Sequence, residues 1–68
     1  MLGRRPILIA YISVGYDGDS MTLEIEFNNG IYQYYDVPED IFQELINASS
    51  IGSFIHQNIK NNYSYSPV

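Results

Sequence analysis

The chain has 68 residues, no cysteine and a formal net charge of −5, from 8 acidic and 3 basic residues. Because clustered Lys and Arg side chains supply most of the affinity for long nucleic acids, such polymers are not expected as partners. The composition also excludes disulfides and thiolate metal sites, and the longest apolar run, residues 7–12, is too short to span a membrane. We expect a cytoplasmic protein that forms a homo-oligomer, a dimer or tetramer, because so short a chain buries little apolar surface alone.

The first predicted strand spans residues 7–16, which are rich in β-branched and aromatic side chains. Gly15 is the expected site of a bend or bulge within it, and residues 1–6 form a short basic arm before it. The Asp-Gly-Asp-Ser sequence at residues 17–20 predicts a turn, because Asp and Gly accept the backbone angles of tight turns. The oxygen-ligand spacing of a calcium loop is missing there, so no metal site is expected.

The second strand is predicted from residues 22–27, where apolar and acidic side chains alternate. This period of two directs one set of side chains to a core and the other set to water. The inward set is Leu23, Ile25 and Phe27, and the outward set includes Glu24 and Glu26.

The following hairpin is predicted to turn at Asn29-Gly30, the preferred central pair of a type I′ turn. With these two residues as the loop, Phe27 lies opposite Tyr32 and Ile25 lies opposite Tyr34, so both tyrosines face the core. A three-residue loop with a glycine bulge is the alternative, and it would turn the tyrosines to the other face. We adopt the two-residue loop because it keeps the glutamine between the tyrosines out of the core.

The first helix is predicted to begin with Pro38, since the first helical position needs no N–H group. The apolar residues after it recur at helical spacing and indicate about three turns; they are Ile41, Phe42, Leu45, Ile46 and Ala48. Residues 49–53 interrupt this helix, and either Ser50 or Ser53 caps a second one. The inward side of the second helix holds Phe54, Ile55 and Ile59, and the outward side holds Ser53, His56 and Lys60.

These elements predict an α+β fold, with a three-stranded antiparallel β-meander followed by two short C-terminal helices packed on one face. We expect a single domain over residues 1–68, divided into an arm (1–6), a sheet (7–37), helices (38–62) and a tail (63–68).

Catalytic patterns are sparse. One histidine and no cysteine exclude the usual zinc clusters and thiol nucleophiles. A Ser-His-acid arrangement would need Ser50 or Ser53 beside His56, with a carboxylate from earlier in the chain. The glycine patterns of phosphate-binding and dinucleotide-binding loops are also missing. We expect no enzymatic activity, no catalytic residue, no cofactor and no bound metal.

Residues 49–53 fit ligand binding, because a serine-rich helix start offers backbone N–H groups and hydroxyls to a phosphate or carboxylate. A nearby tyrosine, either Tyr35 on the sheet or Tyr63 or Tyr65 in the tail, would stack a base. The alternative is an interhelix turn with serine caps and core tyrosines. The candidate ligand-binding residues are Ser49, Ser50, Gly52, Ser53, His56, Lys60, Tyr34, Tyr35 and Arg5.

The order and spacing of several blocks over about residues 13–63 resemble the KTSC domain family. The blocks are Gly15-Tyr16-Asp17, Leu23-Glu24-Ile25-Glu26-Phe27, Asn29-Gly30, Tyr32-Gln33-Tyr34, Val37-Pro38, Ala48-Ser49-Ser50-Ile51-Gly52-Ser53-Phe54 and Asn58-Ile59-Lys60. The family is named after a C-terminal extension of some lysyl-tRNA synthetases, and it includes short stand-alone proteins of bacteria and phages. The resemblance implies an antiparallel sheet with C-terminal helices. This chain departs from the family pattern at Ile51, where a lysine is common, and at Phe54-Ile55-His56, where Tyr-Phe-Asn is common.

The resemblance leaves three function hypotheses. The first is a non-enzymatic binder of a small nucleotide, in the form of a phage protein that sequesters a host cyclic mono- or dinucleotide immune signal in the host cytoplasm. The second is an RNA-binding accessory module, as the synthetase association implies. The third is a structural or protein-interaction domain.

Overall fold

The computed structural model describes the backbone of residues 11–68 and the side chains of residues 13–68. The predicted arm and the start of the first predicted strand, residues 7–10, lie outside this part of the chain. The elements in order are strands β1 (Tyr11–Asp17), β2 (Thr22–Phe27) and β3 (Gly30–Tyr34), helices α1 (Glu39–Ile46) and α2 (Ile51–Phe54), a π-helical turn (Ile55–Ile59) and strand β4 (Tyr65–Pro67).

The strands form one antiparallel sheet in the order β1-β2-β3-β4. The predicted α+β class and the three-stranded meander are therefore confirmed. The fourth strand corrects the prediction of a tail at residues 63–68, because residues 65–67 pair with β3. A three-residue strand is too short to show an alternating pattern, so the sequence gives no sign of it.

The β2–β3 loop consists of Asn28-Asn29, one residue earlier than predicted. Ile25 therefore pairs with Tyr32 rather than with Tyr34, a shift of two residues. Because side chains alternate with a period of two, this shift leaves both tyrosines on the predicted core face. The positive φ of the turn is 142° and falls at Gly30, where a glycine is needed.

The predicted bend at Gly15 is wrong, because this residue pairs regularly with Glu24. The irregularity of β1 lies instead between Tyr11 and Ser13, where the register with β2 shifts. A β-carbon at Gly15 would meet no atom within 4 Å, so neither crowding nor a turn demands a glycine there.

Helix α1 begins at Glu39, and Pro38 precedes it as the N-cap with φ −65° and ψ 152°. Pro38 was predicted to be the first residue of the helix, and it is instead the N-cap residue just before it. With 8 residues, α1 makes about two turns rather than three. Ile46, which was predicted to face inward, is 42% exposed at the end of the helix.

Ser50, one of the two predicted caps, is the N-cap of α2, since its Oγ accepts a hydrogen bond from the Ser53 N–H at 3.3 Å. Helix α2 then continues into the π-helical turn, in which the Lys60 N–H donates to the Ile55 carbonyl at 3.0 Å. None of the helices within residues 11–68 has the length and apolarity that a membrane crossing requires.

One face of the sheet carries the core, to which β2, β3 and the helical segments contribute. The buried residues are Leu23, Ile25, Tyr34, Val37, Leu45, Ile55 and Ile59. The opposite face is polar, and there the Gln33 amide donates to the Glu24 carboxylate at 3.0 Å. Both helices therefore pack on one face of the sheet, as predicted.

The corner between β3 and α1 is fastened to the β1–β2 hairpin. Asp36 has a φ of 59°, which turns the chain out of the sheet. Val37, fully buried, donates its N–H to the Met21 carbonyl at 2.9 Å and accepts a hydrogen bond from the Tyr16 hydroxyl at its own carbonyl. The Tyr16 ring also stacks on Phe42 of α1, with ring centroids 4.8 Å apart.

We predict that Tyr16→Phe lowers the free energy of unfolding by about 1 kcal/mol, because it removes the hydrogen bond to Val37 and keeps the stacked ring. Urea unfolding followed by circular dichroism measures this change. Tyr63→Phe is the matched control, since the Tyr63 hydroxyl makes no hydrogen bond with the described residues. Equal stability of Tyr16→Phe and the native chain would contradict a role for this bond at the corner.

Candidate functional site

A cleft of about 410 Å³ opens where the β2–β3 loop meets the end of the π-helical turn and strand β4. Four aromatic side chains form its floor and walls: Phe27, Tyr32, Tyr34 and Tyr65. Polar groups line the remainder, and they come from Asn28, Asn29, Lys60 and Asn61. We call this site the aromatic cleft.

The rings gather because the strand register brings them to one face of the sheet. Tyr65 of β4 pairs with Tyr34 of β3, and Tyr32 lies two residues along the same strand. The Tyr65 ring centroid lies 5.4 Å from that of Tyr34 and 5.8 Å from that of Tyr32. Phe27 extends the cluster, with its centroid 5.6 Å from that of Tyr32. These spacings are typical of favourable aromatic pairs.

The aromatic rings differ in exposure, and the difference assigns them separate roles. Tyr34 is only 2% exposed and forms the floor, whereas Tyr65 is 54% exposed and offers a free ring face. Burial, and to a lesser extent the neighbouring Tyr65 and Tyr32, raise the pKa of Tyr34 above its usual value. The Tyr34 hydroxyl therefore stays protonated at neutral pH and adds no negative charge to the cleft.

Lys60 supplies a cation to the aromatic cleft. Its ammonium group lies 5.7 Å from the centroid of the Phe27 ring, within the range of a cation–π contact. A π-helical turn holds one residue more than an α-helical turn, so it rotates the residues after it by roughly 100° relative to a continuous α-helix. This rotation directs Lys60 towards Phe27 of β2, away from the outward side of the helix on which it was predicted to lie with Ser53 and His56.

The predicted serine-rich site is separate from the aromatic cleft. None of Ser49, Ser50, Gly52, Ser53 and His56 lines the cleft. The Ser50 Oγ accepts from the Ser53 N–H and donates to the Ser53 Oγ at 3.1 Å, so the hydroxyl is used in the cap. Helix α2 is four residues long and continues directly into the π-helical turn.

The remaining predicted site residues lie in different parts of the molecule. Tyr34 and Lys60 do lie together in the aromatic cleft. Tyr35 lies on the opposite sheet face, half-buried, with its hydroxyl hydrogen-bonded to that of Ser66, so it is not part of the aromatic cleft. Tyr65, the alternative from the tail, does line the cleft. Arg5 lies outside the described residues.

A second concavity of about 410 Å³ lies on the polar sheet face. Its lining includes the carboxylates of Asp17 and Glu24 and the amide of Gln33, which bonds to Glu24. These groups favour water over an anionic ligand. Within residues 11–68, no three carboxylate or imidazole side chains come together in a way that would hold a metal ion.

The KTSC domain family matches residues 10–63 of this sequence, which is most of the chain. The chain belongs to the KTSC domain family. The resemblance stated from the sequence blocks is thereby confirmed, and strand β4 lies just beyond the matched residues.

Solved and curated relatives show the same family. The crystal structure of a KTSC domain protein from Yersinia pestis has a TM-score of 0.84 and 37% identity, covering 97% of this chain and 96% of that one. A protein from Stutzerimonas stutzeri is 41% identical over 49 residues, which are 71% of this chain and 69% of that protein. The lysine–tRNA ligase of Nostoc sp. is 41% identical over 51 residues, which are 74% of this chain and 9% of the ligase. The chain thus spans a small fraction of the curated ligases that it matches.

We predict that the free energy of unfolding falls as the pH rises above about 10, partly through Tyr34. Because the pKa of Tyr34 is raised in the folded state, the unfolded chain releases this proton first. The Tyr34 contribution to stability is therefore complete below about pH 10 and is lost as the pH rises through the folded-state pKa. Urea unfolding at about pH 9 and about pH 11 should show a smaller loss for Tyr34→Phe than for the native chain. An equal loss in Tyr34→Phe and the native chain would contradict this assignment.

Proposed function

We propose that this KTSC domain is a non-enzymatic protein that binds a small nucleotide in the aromatic cleft. The observation that carries the proposal is the presence of an exposed tyrosine, three asparagines and a lysine among the residues that line one cleft. These are the three kinds of group that a nucleotide needs for its base face, its base edge and its phosphate.

The base would stack on Tyr65, whose ring is more than half exposed and is supported from behind by Tyr32 and Tyr34. Stacking of one base on an aromatic side chain contributes roughly 1–3 kcal/mol. The amides of Asn28, Asn29 and Asn61 each offer donors and an acceptor to the base edge.

The phosphate would lie against Lys60. The sequence has 3 strong bases, and Lys60 is the one within the described residues. A single ammonium group on a chain of net charge −5 suits a ligand with one or two phosphates better than a polyanion. The volume of about 410 Å³ lies at the lower end of the range of ligand pockets, roughly 300–1,000 Å³.

In its most specific form, the proposal is that the protein sequesters a cyclic mono- or dinucleotide that signals host immunity, in the manner of a phage-encoded sponge. The family's occurrence as short stand-alone phage proteins, together with a cleft that offers stacking and charge, supports this form. Sequestration requires binding without conversion of the ligand.

An RNA-binding accessory function is the second candidate. The observation that favours it is the similarity to part of the lysine–tRNA ligase of Nostoc sp.. A single unpaired RNA base would enter the aromatic cleft in the same way as a free nucleotide. The acidic charge of the chain argues for the smaller ligand.

The proposal includes a homo-oligomer. Several apolar side chains are exposed, including Met21 at 38%, Ile46 at 42% and Val68 at 74%. Val68 donates its N–H to the Ile31 carbonyl of β3. Because successive N–H groups along a strand point in opposite directions, the N–H groups of the odd-numbered residues of β4 point away from β3, and Pro67 has no N–H group. Because proline cannot donate a hydrogen bond, another strand would pair poorly with the outer edge of β4, and we expect subunits to associate elsewhere.

We predict that calorimetry detects binding of a cyclic dinucleotide or mononucleotide and that Lys60→Gln weakens it roughly ten-fold or more, through loss of a charge-assisted contact. Gln43→Glu is the matched control, because Gln43 is exposed outside the cleft and both variants change the net charge from −5 to −6 (−5 − 1 = −6). The control should bind as the native chain does.

Salt dependence distinguishes the two candidates. A short RNA should bind with an affinity that falls steeply as salt rises, whereas a small nucleotide contacting one lysine should show a shallow slope. The absence of heat with every nucleotide and with RNA would contradict both, and it would favour the structural or protein-interaction hypothesis.

A further inference from the structure

We infer that Asn29 is a site of spontaneous deamidation, which adds a negative charge to the wall of the aromatic cleft. Asn29 is the second residue of the β2–β3 loop, it is exposed, and it is followed by Gly30. It also lines the aromatic cleft with Lys60.

The reaction needs only the chain and water. The backbone nitrogen of Gly30 attacks the side-chain carbonyl carbon of Asn29, a nitrogen–carbon bond forms, and the bond from that carbon to the amide nitrogen breaks. The Gly30 proton leaves with the amide as ammonia, and a five-membered succinimide remains. Water then opens the ring to aspartate or, through the other carbonyl, to isoaspartate. Glycine favours the attack because it has no β-carbon to hinder the approach.

The chain contains an internal comparison for this site, because five other asparagines precede residues with a β-carbon: Asn28, Asn47, Asn58, Asn61 and Asn62. Two of the five are also held by their side chains. The Asn47 amide donates to the Gln43 carbonyl at 2.8 Å, and the Asn62 amide donates to the Asn58 carbonyl at 2.8 Å. The Asn29 side chain makes no hydrogen bond with the described residues.

The position of Asn29 at the end of the hairpin allows the backbone movement that the ring closure needs. Gly30 pairs with Phe27 as the last pair of the β2–β3 ladder, so its nitrogen must leave this pair before it can attack. Opening of a terminal hairpin pair costs much less free energy than global unfolding. The reaction can therefore proceed in the folded protein, at a rate set by this local opening.

The consequence for ligands rests on the proposed function. A carboxylate at position 29 would share the aromatic cleft with the Lys60 ammonium group and offset its charge, and the net charge of the chain would change from −5 to −6 (−5 − 1 = −6). An anionic ligand should then bind more weakly. Isoaspartate would also lengthen the loop backbone by one carbon and displace Asn28.

The test is incubation of the folded full-length chain in mildly alkaline buffer, followed by peptide mass mapping of all six asparagines. Asn29 should convert several-fold faster than Asn28, its neighbour in the same exposed loop. Conversion of Asn29 at or below the rate of Asn28 would overturn the inference. Asn29→Gln, which cannot form the five-membered ring, should remain unmodified over the same period.

The binding consequence has a separate test. Asn29→Asp should bind a cyclic nucleotide several-fold more weakly than the native chain, and Asn29→Ser, which is neutral, should lose less. If Asn29 deamidates and the native chain binds no nucleotide, the modification site stands and the proposed function fails. If the native chain and Asn29→Asp bind equally, the coupling of this charge to the ligand is wrong.

Discussion

The buried corner at Val37 is the constraint on which the arrangement of helices and sheet depends. Val37 lies outside any helix or strand, so its backbone N–H and carbonyl have no partner within such an element. A buried N–H or carbonyl without a hydrogen-bond partner lowers the stability of the fold. The Met21 carbonyl satisfies the N–H, and the Tyr16 hydroxyl satisfies the carbonyl. These two bonds fasten the start of α1 to the β1–β2 hairpin. The direction in which α1 leaves the sheet is thereby fixed, and with it the sheet face that the helices cover.

The aromatic cleft lies at the other end of this covered face. Its groups come from three segments that are distant in sequence: the β2–β3 hairpin, the residues after the π-helical turn, and β4. Each segment is positioned by a different constraint, namely strand register for Tyr32 and Tyr34, the additional residue of the π-helical turn for Lys60, and pairing with β3 for Tyr65. The cleft combines a buried floor with an exposed tyrosine and a cation, and the proposal of nucleotide binding rests on this combination.

The alternation of residues 22–27 predicted which side chains face the core, and the structure confirms it for Leu23 and Ile25. It did not predict the register, because a period of two is unchanged by a shift of two residues. Asn29-Gly30 indicated a turn at the right place, but the loop is Asn28-Asn29 and Gly30 begins β3. Ser50 was one of two predicted caps, and its bond to Ser53 explains why the serine stretch needs no ligand to account for it.

The sequence by itself determined the α+β class, the meander, the buried faces of β2 and β3, a serine cap on the second helix and the family. The family follows from blocks spread over about residues 13–63, and the other features follow from patterns within about ten residues, where periodicity and side-chain capping act locally. Only the tertiary structure decided that residues 65–67 form a strand, that Tyr65 and Lys60 share a cleft, and that Tyr35 turns away from it. Those outcomes depend on pairing between distant segments and on one π-helical turn, and neither leaves a mark in local composition.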